Sequence, residues 1–258
     1  MAILNDLANA LANGSIEVVD LTANLDANTP LLPLPPIWPN TPPFELHEIS
    51  RYDERGPAWY WNWFATGEHT GTHFDAPVHW VSGKDLPDNS VDQIPAKRFI
   101  GPACVIDITK ECAKDPDFLV DIPLIENWER ANGKIPASSW VLLRTGWSQR
   151  KSAGEYLNVH DDGPHTPGWK KEASLFLAEQ RDVLGVGVET IGTDAGQAAK
   201  FDPPFCNHFV MHGHGKFGLA SLTNLDRLPL TGAVVVAAPL KIVGGSGSPV
   251  RVIALVPR

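Results

Sequence analysis

The sequence predicts a mixed α and β fold, with one domain built around a central β-sheet and a helix at the N-terminus. The 258 residues are 43% hydrophobic and 20% charged, which is ordinary for a globular chain with a substantial core. Short β-branched runs outnumber the helical patterns, and the helical patterns lie between such runs. The sequence contains no internal repeat, and its one biased tract is the short loop 244–248. We therefore treat residues 1–258 as a single domain.

Segment 1–14 is predicted to form the N-terminal helix, with helical periodicity over residues 2–12 and a stop at Gly14. The apolar residues at helical spacing form one face. They are Ile3, Leu4, Leu7, Ala8 and Leu11. That face packs either on its own domain or on a neighbouring subunit, and both alternatives remain open.

Strands are predicted at residues 16–21 and 44–49, where β-branched or alternating residues recur. Proline recurs throughout residues 29–43, which predicts an extended loop between these strands. Residues 59–64 form an aromatic strand in which Trp59, Trp61 and Trp63 share one face. This strand is either a layer of the core or a wall for a flat aromatic ligand.

The rest of the chain is predicted to alternate strands, helices and loops. The strands are at residues 104–108, 140–143, 183–188, 234–238 and 250–256, and a polar loop covers 85–95. One helix is predicted over 122–132, with Asp121 as N-cap and Gly133 as its stop. A second helix is predicted to open at Thr166-Pro167 and to run to about Gln180.

The composition restricts the partners and the location of the protein. A net charge of -9 argues against nucleic acid as a partner, because phosphate binding needs clustered Lys and Arg. No run of ~20 apolar residues is present, so we expect no contact with a membrane through a spanning helix. The three cysteines form no CxxC pair, and the first residues lack a signal-peptide pattern, so we expect a cytoplasmic protein.

Residues 68–80, EHTGTHFDAPVHW, contain the densest set of possible metal ligands. Imidazole nitrogen and carboxylate oxygen are the atoms that bind Zn, Mn or Fe(II). Gly71 and Pro77 interrupt any helix here, so the stretch is predicted to be a loop that leads into a short extended segment.

In that extended segment His73 and Asp75 are two residues apart, so they point the same way. Gly71 lets the backbone fold so that His69 joins them as a metal ligand. Pro77 then turns the chain, which leaves His79 just outside the predicted ligand set.

A second group of histidines lies within residues 207–215. For each of them alone, a surface or capping role and a role in the site are both open, but we expect at least one to reach the main site. There it would orient a substrate or move a proton. Glu189, Thr193 and Asp194 end a predicted strand and could support the site, although acidic residues at strand ends are usually solvated.

Residues 69–79 follow the pattern His-x-Gly-Thr-His-x-Asp-x-Pro-x-His, and through this pattern the chain resembles the cyclase superfamily of metal-dependent hydrolases. That family includes the bacterial kynurenine formamidases, and the resemblance extends through residues 224–226 and 244–251. It implies a swivelling β/β/α fold and a homodimer or a larger homo-oligomer. It also implies metal ligation by His69, His73 and Asp75, with His79 as the general acid and base.

The resemblance implies a further catalytic residue, His208, which matches the family's later histidine beside the metal. The binuclear formamidases carry a Glu twelve residues beyond that histidine, where this chain has Ala220. Because an alanine cannot bind a metal, one divalent ion is expected instead of two.

Within the family, the aromatic run 59–64 and the pair Ala220-Ser221 are similar to isatin hydrolases, which are manganese-dependent. This similarity implies that the protein opens the lactam of isatin to isatinate through a metal-bound hydroxide, with manganese as the first expectation for the metal and zinc as the second. The substrate is then a small aromatic molecule. The expected substrate contacts are Trp59, Trp63, Phe64, Trp80, His212 and Ser221.

Two other functions remain open. The same chemistry could act on N-formylkynurenine or on another aromatic amide. A non-catalytic, metal-stabilised binding protein would instead need a closed coordination shell, which His79 could complete.

Overall fold

A nine-stranded sheet forms the centre of the structure, a computed structural model that describes residues 2–34 and 37–258. Met1 of the predicted helical segment, and Pro35 and Pro36 of the predicted extended loop, lie outside the described residues. The helices are α1 (Ala2–Asn13), α2 (Thr109–Cys112), α3 (Ile122–Asn132), α4 (Ala153–Leu157), α5 (Lys171–Leu175) and α6 (Cys206–Gly213). The strands are β1 (Ile16–Asp20), β2 (Glu45–Asp53), β3 (Gly56–Ala65), β4 (His73–Asp75), β5 (Ile100–Asp107), β6 (Leu119–Val120), β7 (Trp140–Arg144), β8 (Val159–His160), β9 (Gly163–Pro164), β10 (Gly168–Trp169), β11 (Gly185–Val188), β12 (Phe217–Ala220), β13 (Val234–Val236), β14 (Gly247–Pro249) and β15 (Ile253–Pro257).

The middle of the sheet is parallel and its two sides are antiparallel. Strands β5, β7, β11 and β12 run in the same direction side by side. Strands β4 and β14 extend this part antiparallel on one side, and β13, β15 and β1 extend it on the other. The first and last strands of the chain therefore pair with each other in one sheet.

Apolar layers cover both faces of the parallel strands. Along β7, Trp140 and Leu142 belong to one buried layer, and Val141 and Leu143 belong to the other. The second layer includes residues of α3, α5 and α6, so these helices cover that face. Burial on both faces explains why the central strands read as continuous apolar runs in the sequence.

The predicted mixed α and β fold and the predicted N-terminal helix are confirmed. The helix predicted over 122–132 is α3, and the Asp121 side chain accepts the N–H of Leu124 at 3.1 Å as its cap. The strand predicted at 250–256 is shorter, because β15 begins at Ile253. Strand β12 and helix α6 have no counterpart among the predicted elements.

The predicted start of a helix at Thr166-Pro167 is wrong. Gly168 and Trp169 pair with β6 as a short parallel strand, and α5 begins only at Lys171 before a π-helical turn continues to Gln180. A Cβ atom on Gly168 would lie 2.7 Å from Cα of Ala195. This close approach of two distant segments overrides the local signal of a proline at the start of a helix.

Strands β2 and β3 form a hairpin outside the central sheet. The interpretation of its tryptophans as a core layer is wrong, because Trp59, Trp61 and Trp63 are 50%, 54% and 52% exposed. The apolar face of α1 is also accessible to solvent, with Ile3 79% exposed and Leu4 69% exposed. No helix within the described residues is long and apolar enough to cross a lipid bilayer.

Candidate metal centre

Strand β4 holds the first two residues of the site. The ring of Phe74 is fully buried in the core, where it packs against Trp140 and Phe217. Because side chains alternate along a strand, His73 and Asp75 point away from that core. Both are nonetheless buried, with 5% and 1% of the residue exposed.

The loop before β4 brings His69 to Asp75, as the sequence predicted. Gly71 has a φ of 62°, a left-handed conformation that favours glycine. His69 Nδ1 then lies 2.7 Å from Asp75 Oδ1, and its Nε2 lies 2.9 Å from Ser246 Oγ.

The structure places His79 inside the cluster and not beside it. Pro77–His79 is a single 3₁₀ turn, and this turn folds the His79 ring onto the ring of His69, with centroids 3.8 Å apart. The possible ligand atoms of His69, Asp75 and His79 all lie within 4.8 Å of one another. The turn that follows Pro77 therefore returns the chain to the site.

Helix α6 supplies two more imidazoles from far along the sequence. His208 and His212 are one helical turn apart, so they share a face of α6. Their rings lie 5.5 Å and 5.9 Å from the ring of His79, and their ligand atoms form a second group with Asp75. Asp75 is thus shared by both groups.

Several buried acceptor atoms in the cluster face one another without a proton between them. His73 Nδ1 donates its proton to the Gly71 carbonyl at 2.8 Å, because a carbonyl can only accept. The other ring nitrogen, Nε2, therefore carries a lone pair, and it lies 3.4 Å from Asp75 Oδ1. In the same way, the bond from His212 Nδ1 to the Lys216 carbonyl (3.1 Å) leaves a lone pair on Nε2. Within the described part of the chain, neither that Nε2 nor Asp75 Oδ2 has a hydrogen-bond partner. Buried polar atoms are normally paired, so this donor set fits a cation.

The electrostatics of the cluster keep Asp75 charged. Burial raises the pKa of Asp75, but the imidazoles of His73 and His69 outweigh burial and hold this pKa well below its ordinary value. Burial lowers the pKa of His79 to about 2, so this imidazole is neutral at neutral pH.

The pKa values of the two histidines of α6 shift in opposite directions. Burial, with His208 as a second cause, lowers the pKa of His212 to about 4. Burial also acts to lower the pKa of His208, but the Asp194 carboxylate more than compensates, and the pKa lies above its ordinary value. Asp194 Oδ2 is 2.5 Å from His208 Nδ1.

A glycine in the neighbouring strand makes room for Asp75. Gly218 of β12 pairs with Asp75 across the antiparallel ladder. A Cβ atom at this position would lie 2.6 Å from Asp75 Oδ2 and 3.1 Å from the Thr193 side chain. Because Gly218 has no side chain, there is room for Asp75 Oδ2 at this position.

The predicted aromatic contacts separate into two places. The ring of Trp80 lies against the cluster, 4.9 Å from the ring of His208, and it also packs against Phe205. Trp63 and Phe64 lie on the exposed hairpin, where Trp63 stacks on His47 at 3.9 Å. Trp59 lies on the same hairpin strand.

Ser221 lies directly after the residue of β12 that pairs with His73. Its hydroxyl hydrogen-bonds the hydroxyl of Tyr156 at 2.9 Å, and its carbonyl accepts the hydroxyl of Thr72 at 2.6 Å. Its φ of 54° is left-handed, so the backbone turns sharply at the edge of the cluster. This contact places Ser221 behind β4.

Sequence reasoning missed the support that Glu68 gives to His69, and it left the roles of Glu189 and Asp194 open. Glu68 Oε2 accepts the hydroxyl of Ser246 at 2.5 Å, and Ser246 in turn contacts His69. The carboxylates of Glu189 and Asp194, expected to be solvated, are buried with 3% and 8% of each residue exposed. The position of Glu68 next to His69 was a signal in the sequence for its role. The burial of Glu189 and Asp194 depends on distant helices and loops, so the sequence around them gave no signal.

Comparison with known proteins identifies the family. A sequence model of a family described as a putative cyclase matches residues 19–195, more than half of the chain. An isatin hydrolase from Roseibium aggregatum is 50% identical over 259 residues, which cover 99% of this chain and 97% of that protein.

Two solved structures are similar over almost their full length. Isatin hydrolase A from Labrenzia aggregata, bound to benzyl benzoate, is 52% identical with a TM-score of 0.97, and the match covers 99% of both chains. An isatin hydrolase bound to the product analogue thioisatinate is 49% identical with a TM-score of 0.98, and the match covers 100% of this chain and 98% of the other. With its fixed histidines and aspartate gathered at one buried centre, this chain belongs to the cyclase family.

Proposed function

We propose that this protein is a metal-dependent hydrolase that opens the lactam ring of isatin to give isatinate. The observation that carries the proposal is the buried Asp75 among five imidazoles, in a chain 50% identical over its length to an isatin hydrolase. A similar structure binds the product analogue thioisatinate, and this favours isatin over other aromatic amides as the substrate.

His69, His73 and Asp75 would hold one divalent cation in this proposal. When bound, such a cation lowers the pKa of a coordinated water from about 15.7 toward ~7, so that a nucleophile is available at neutral pH. Imidazole and carboxylate suit both manganese and zinc, and we propose manganese first because of the similarity to isatin hydrolases. The lone pair on His73 Nε2, 3.4 Å from Asp75 Oδ1, and the contact of His69 Nδ1 with the same oxygen at 2.7 Å support this ligand set.

His79 is the proton carrier in the proposed reaction. Its imidazole is neutral at neutral pH and therefore has a lone pair for the proton of the water that adds to the lactam carbonyl, and the nearby Asp75 carboxylate would stabilise the imidazolium that forms. The same proton then goes to the ring nitrogen as the bond from carbon to nitrogen breaks. His79 is therefore unchanged at the end of the turnover.

The substrate ring would lie against Trp80, which already forms one wall of the cluster beside His208. His208 and His212 border the same space and would orient the two carbonyl oxygens of isatin or pass a proton outward. Ser221 is a further candidate for these roles.

Isatin turnover is the first prediction. Purified protein is treated with a chelator, and manganese or zinc is added back before isatin or N-formylkynurenine is offered. We expect manganese to restore isatin hydrolysis, followed by absorbance, with a kcat/KM on isatin at least about tenfold above that on N-formylkynurenine. A preference for N-formylkynurenine would favour the formamidase alternative, and no turnover of either substrate with either ion would favour the binding protein.

The division of roles between ligand and proton carrier is the second prediction. His73→Ala is expected to lose the metal, measured by elemental analysis. His79→Ala is expected to keep the metal and to lose about 10²–10⁴ in kcat, the usual contribution of general acid–base catalysis.

His214→Ala serves as the control, since His214 is exposed at the end of α6 and pairs with Glu179. It is expected to stay within about twofold of the parent in kcat. Loss of the metal from His79→Ala would instead assign His79 to the ligand set.

A homodimer is the third element of the proposal. The hairpin of β2 and β3 exposes Trp59, Trp61, Trp63 and Phe64, each at least half exposed, and an isolated two-stranded hairpin is only marginally stable in water. Exposed aromatic patches of this kind mark protein contacts. We propose that a second copy of the chain covers the hairpin and the apolar face of α1. Trp59, Trp63 and Phe64 would then contact the second copy, which is an alternative to the substrate contact predicted for them.

Light scattering after size exclusion tests this third prediction. We expect the mass of two chains or more for the parent, and the mass of one chain for Trp61→Glu, because a buried unpaired charge opposes association. Val159→Glu makes the same chemical change at an apolar residue 48% exposed on another hairpin, and it should keep the parent's mass. A single-chain mass for the parent would contradict the proposal.

A further inference from the structure

The loop after β11 places the buried carboxylate of Asp194 against His208 of helix α6. The Asp194 side chain is 5% exposed, and its Oδ2 lies 2.5 Å from His208 Nδ1. The same side chain accepts two backbone N–H groups at the start of α6, from Asn207 at 2.7 Å and from His208 at 3.2 Å. Asp194 thus holds both the backbone and the ring of His208.

This contact determines which nitrogen of the His208 ring carries the proton. A carboxylate only accepts hydrogen bonds, so the proton of the contact belongs to Nδ1 of His208. The other nitrogen, Nε2, is then directed at Asp75 Oδ2, 3.8 Å away. That oxygen is one of the buried atoms without a hydrogen-bond partner among the described residues.

The ring of His208 is also confined from its sides. Trp80 and His212 lie 4.9 Å and 5.3 Å from its centroid, and Thr193 Oγ1 lies 3.4 Å from Nδ1. These contacts limit the tilt of the ring, but none of them supplies an acceptor as strong as a carboxylate. The choice between the two nitrogens therefore depends on Asp194.

We infer that Asp194 is a positioning residue, which fixes the proton on Nδ1 of His208 and thereby leaves the lone pair of Nε2 on the Asp75 side of the cluster. The inference rests on the proposed function, because it explains how His208 acts in that reaction. Asp194 itself lies behind His208 and acts only through it.

A purely structural role is the competing explanation. The residue before α6, Phe205, has a left-handed φ of 53° and provides no side-chain cap, so the two backbone bonds of Asp194 satisfy the start of the helix. A lost cap lowers the stability of the fold whether or not the His208 side chain is present. The effect of removing a helix cap is therefore independent of His208, whereas the effect of removing a positioning residue disappears when His208 is absent.

Kinetics in two backgrounds separate these roles. Asp194→Asn is expected to lower kcat on isatin at least about tenfold while KM changes less than about threefold, because in part of the molecules the proton of His208 is then on Nε2 instead of Nδ1. In a His208→Ala background the same substitution should change kcat less than about twofold, since residues that act as a unit are not additive.

Asp117→Asn is the matched control. Asp117 Oδ2 lies 2.5 Å from Nδ1 of His165, which is the same contact at a pair outside the cluster. This variant should keep kcat within about twofold of the parent. If Asp194→Asn does not fold, Asp194→Glu replaces it in the experiment, because it keeps a carboxylate acceptor on a longer side chain. Any loss of kcat in Asp194→Glu should likewise be absent in the His208→Ala background.

Nitrogen NMR of labelled histidine in the metal-free protein gives a readout that does not need turnover. The His208 signals, assigned by their loss in His208→Ala, should show a proton on Nδ1 in the parent and a reduced population of that form in Asp194→Asn. Asp117→Asn should leave them unchanged.

An unchanged Nδ1 proton in Asp194→Asn, or an equal loss of kcat with and without His208, would overturn the inference. If the parent does not hydrolyse isatin, the proposed function fails, and the NMR comparison still decides the positioning role.

Discussion

The buried charge of Asp75 is the constraint on which the rest of the site depends. A carboxylate that is 1% exposed has lost its hydration, and such a loss costs several kcal/mol unless other groups compensate. His69 hydrogen-bonds one oxygen and His73 lies near it, but Oδ2 faces imidazoles without a hydrogen bond among the described residues. The arrangement is favourable when a cation shares these lone pairs, and this is why we interpret the cluster as a metal centre.

The sheet topology brings this charge together with residues from distant parts of the chain. Strand β4 adds antiparallel to the edge of the parallel strands, which sets Asp75 beside Gly218 of β12. Helix α6 precedes β12 in the chain and presents His208 and His212 to the same place. The short connection between α6 and β12 therefore determines how the second histidine pair meets the first.

Local pattern predicted the elements whose conformation depends on nearby residues. The extended His73–Asp75 segment and the turn at Gly71 follow from residue types within a few positions, and both are present. Alternation along residues 59–64 gave the two faces of β3 but not their environment, because a period of two does not distinguish a core from an exposed hairpin.

Features that depend on distant contacts could not be predicted in this way. The burial of Asp194 requires α6 to begin beside it, and the late start of α5 results from the approach of Gly168 to Ala195. The return of His79 to the cluster depends on a 3₁₀ turn that the sequence showed only as a break at Pro77. The family pattern supplied the role of His79, which spacing alone had placed outside the ligand set.

The most direct measurement of the central claim is a calorimetric titration of Mn²⁺ into the metal-free protein, with the parent and Asp75→Asn side by side. The substitution keeps the shape of the side chain and removes its charge. Changes in residues that only support a ligand typically cost 10–100-fold in metal affinity, so we predict that the parent binds one ion per chain and that the variant binds at least about 100-fold more weakly. Equal affinities for the two proteins would contradict the account, because the buried carboxylate would then not be what holds the metal.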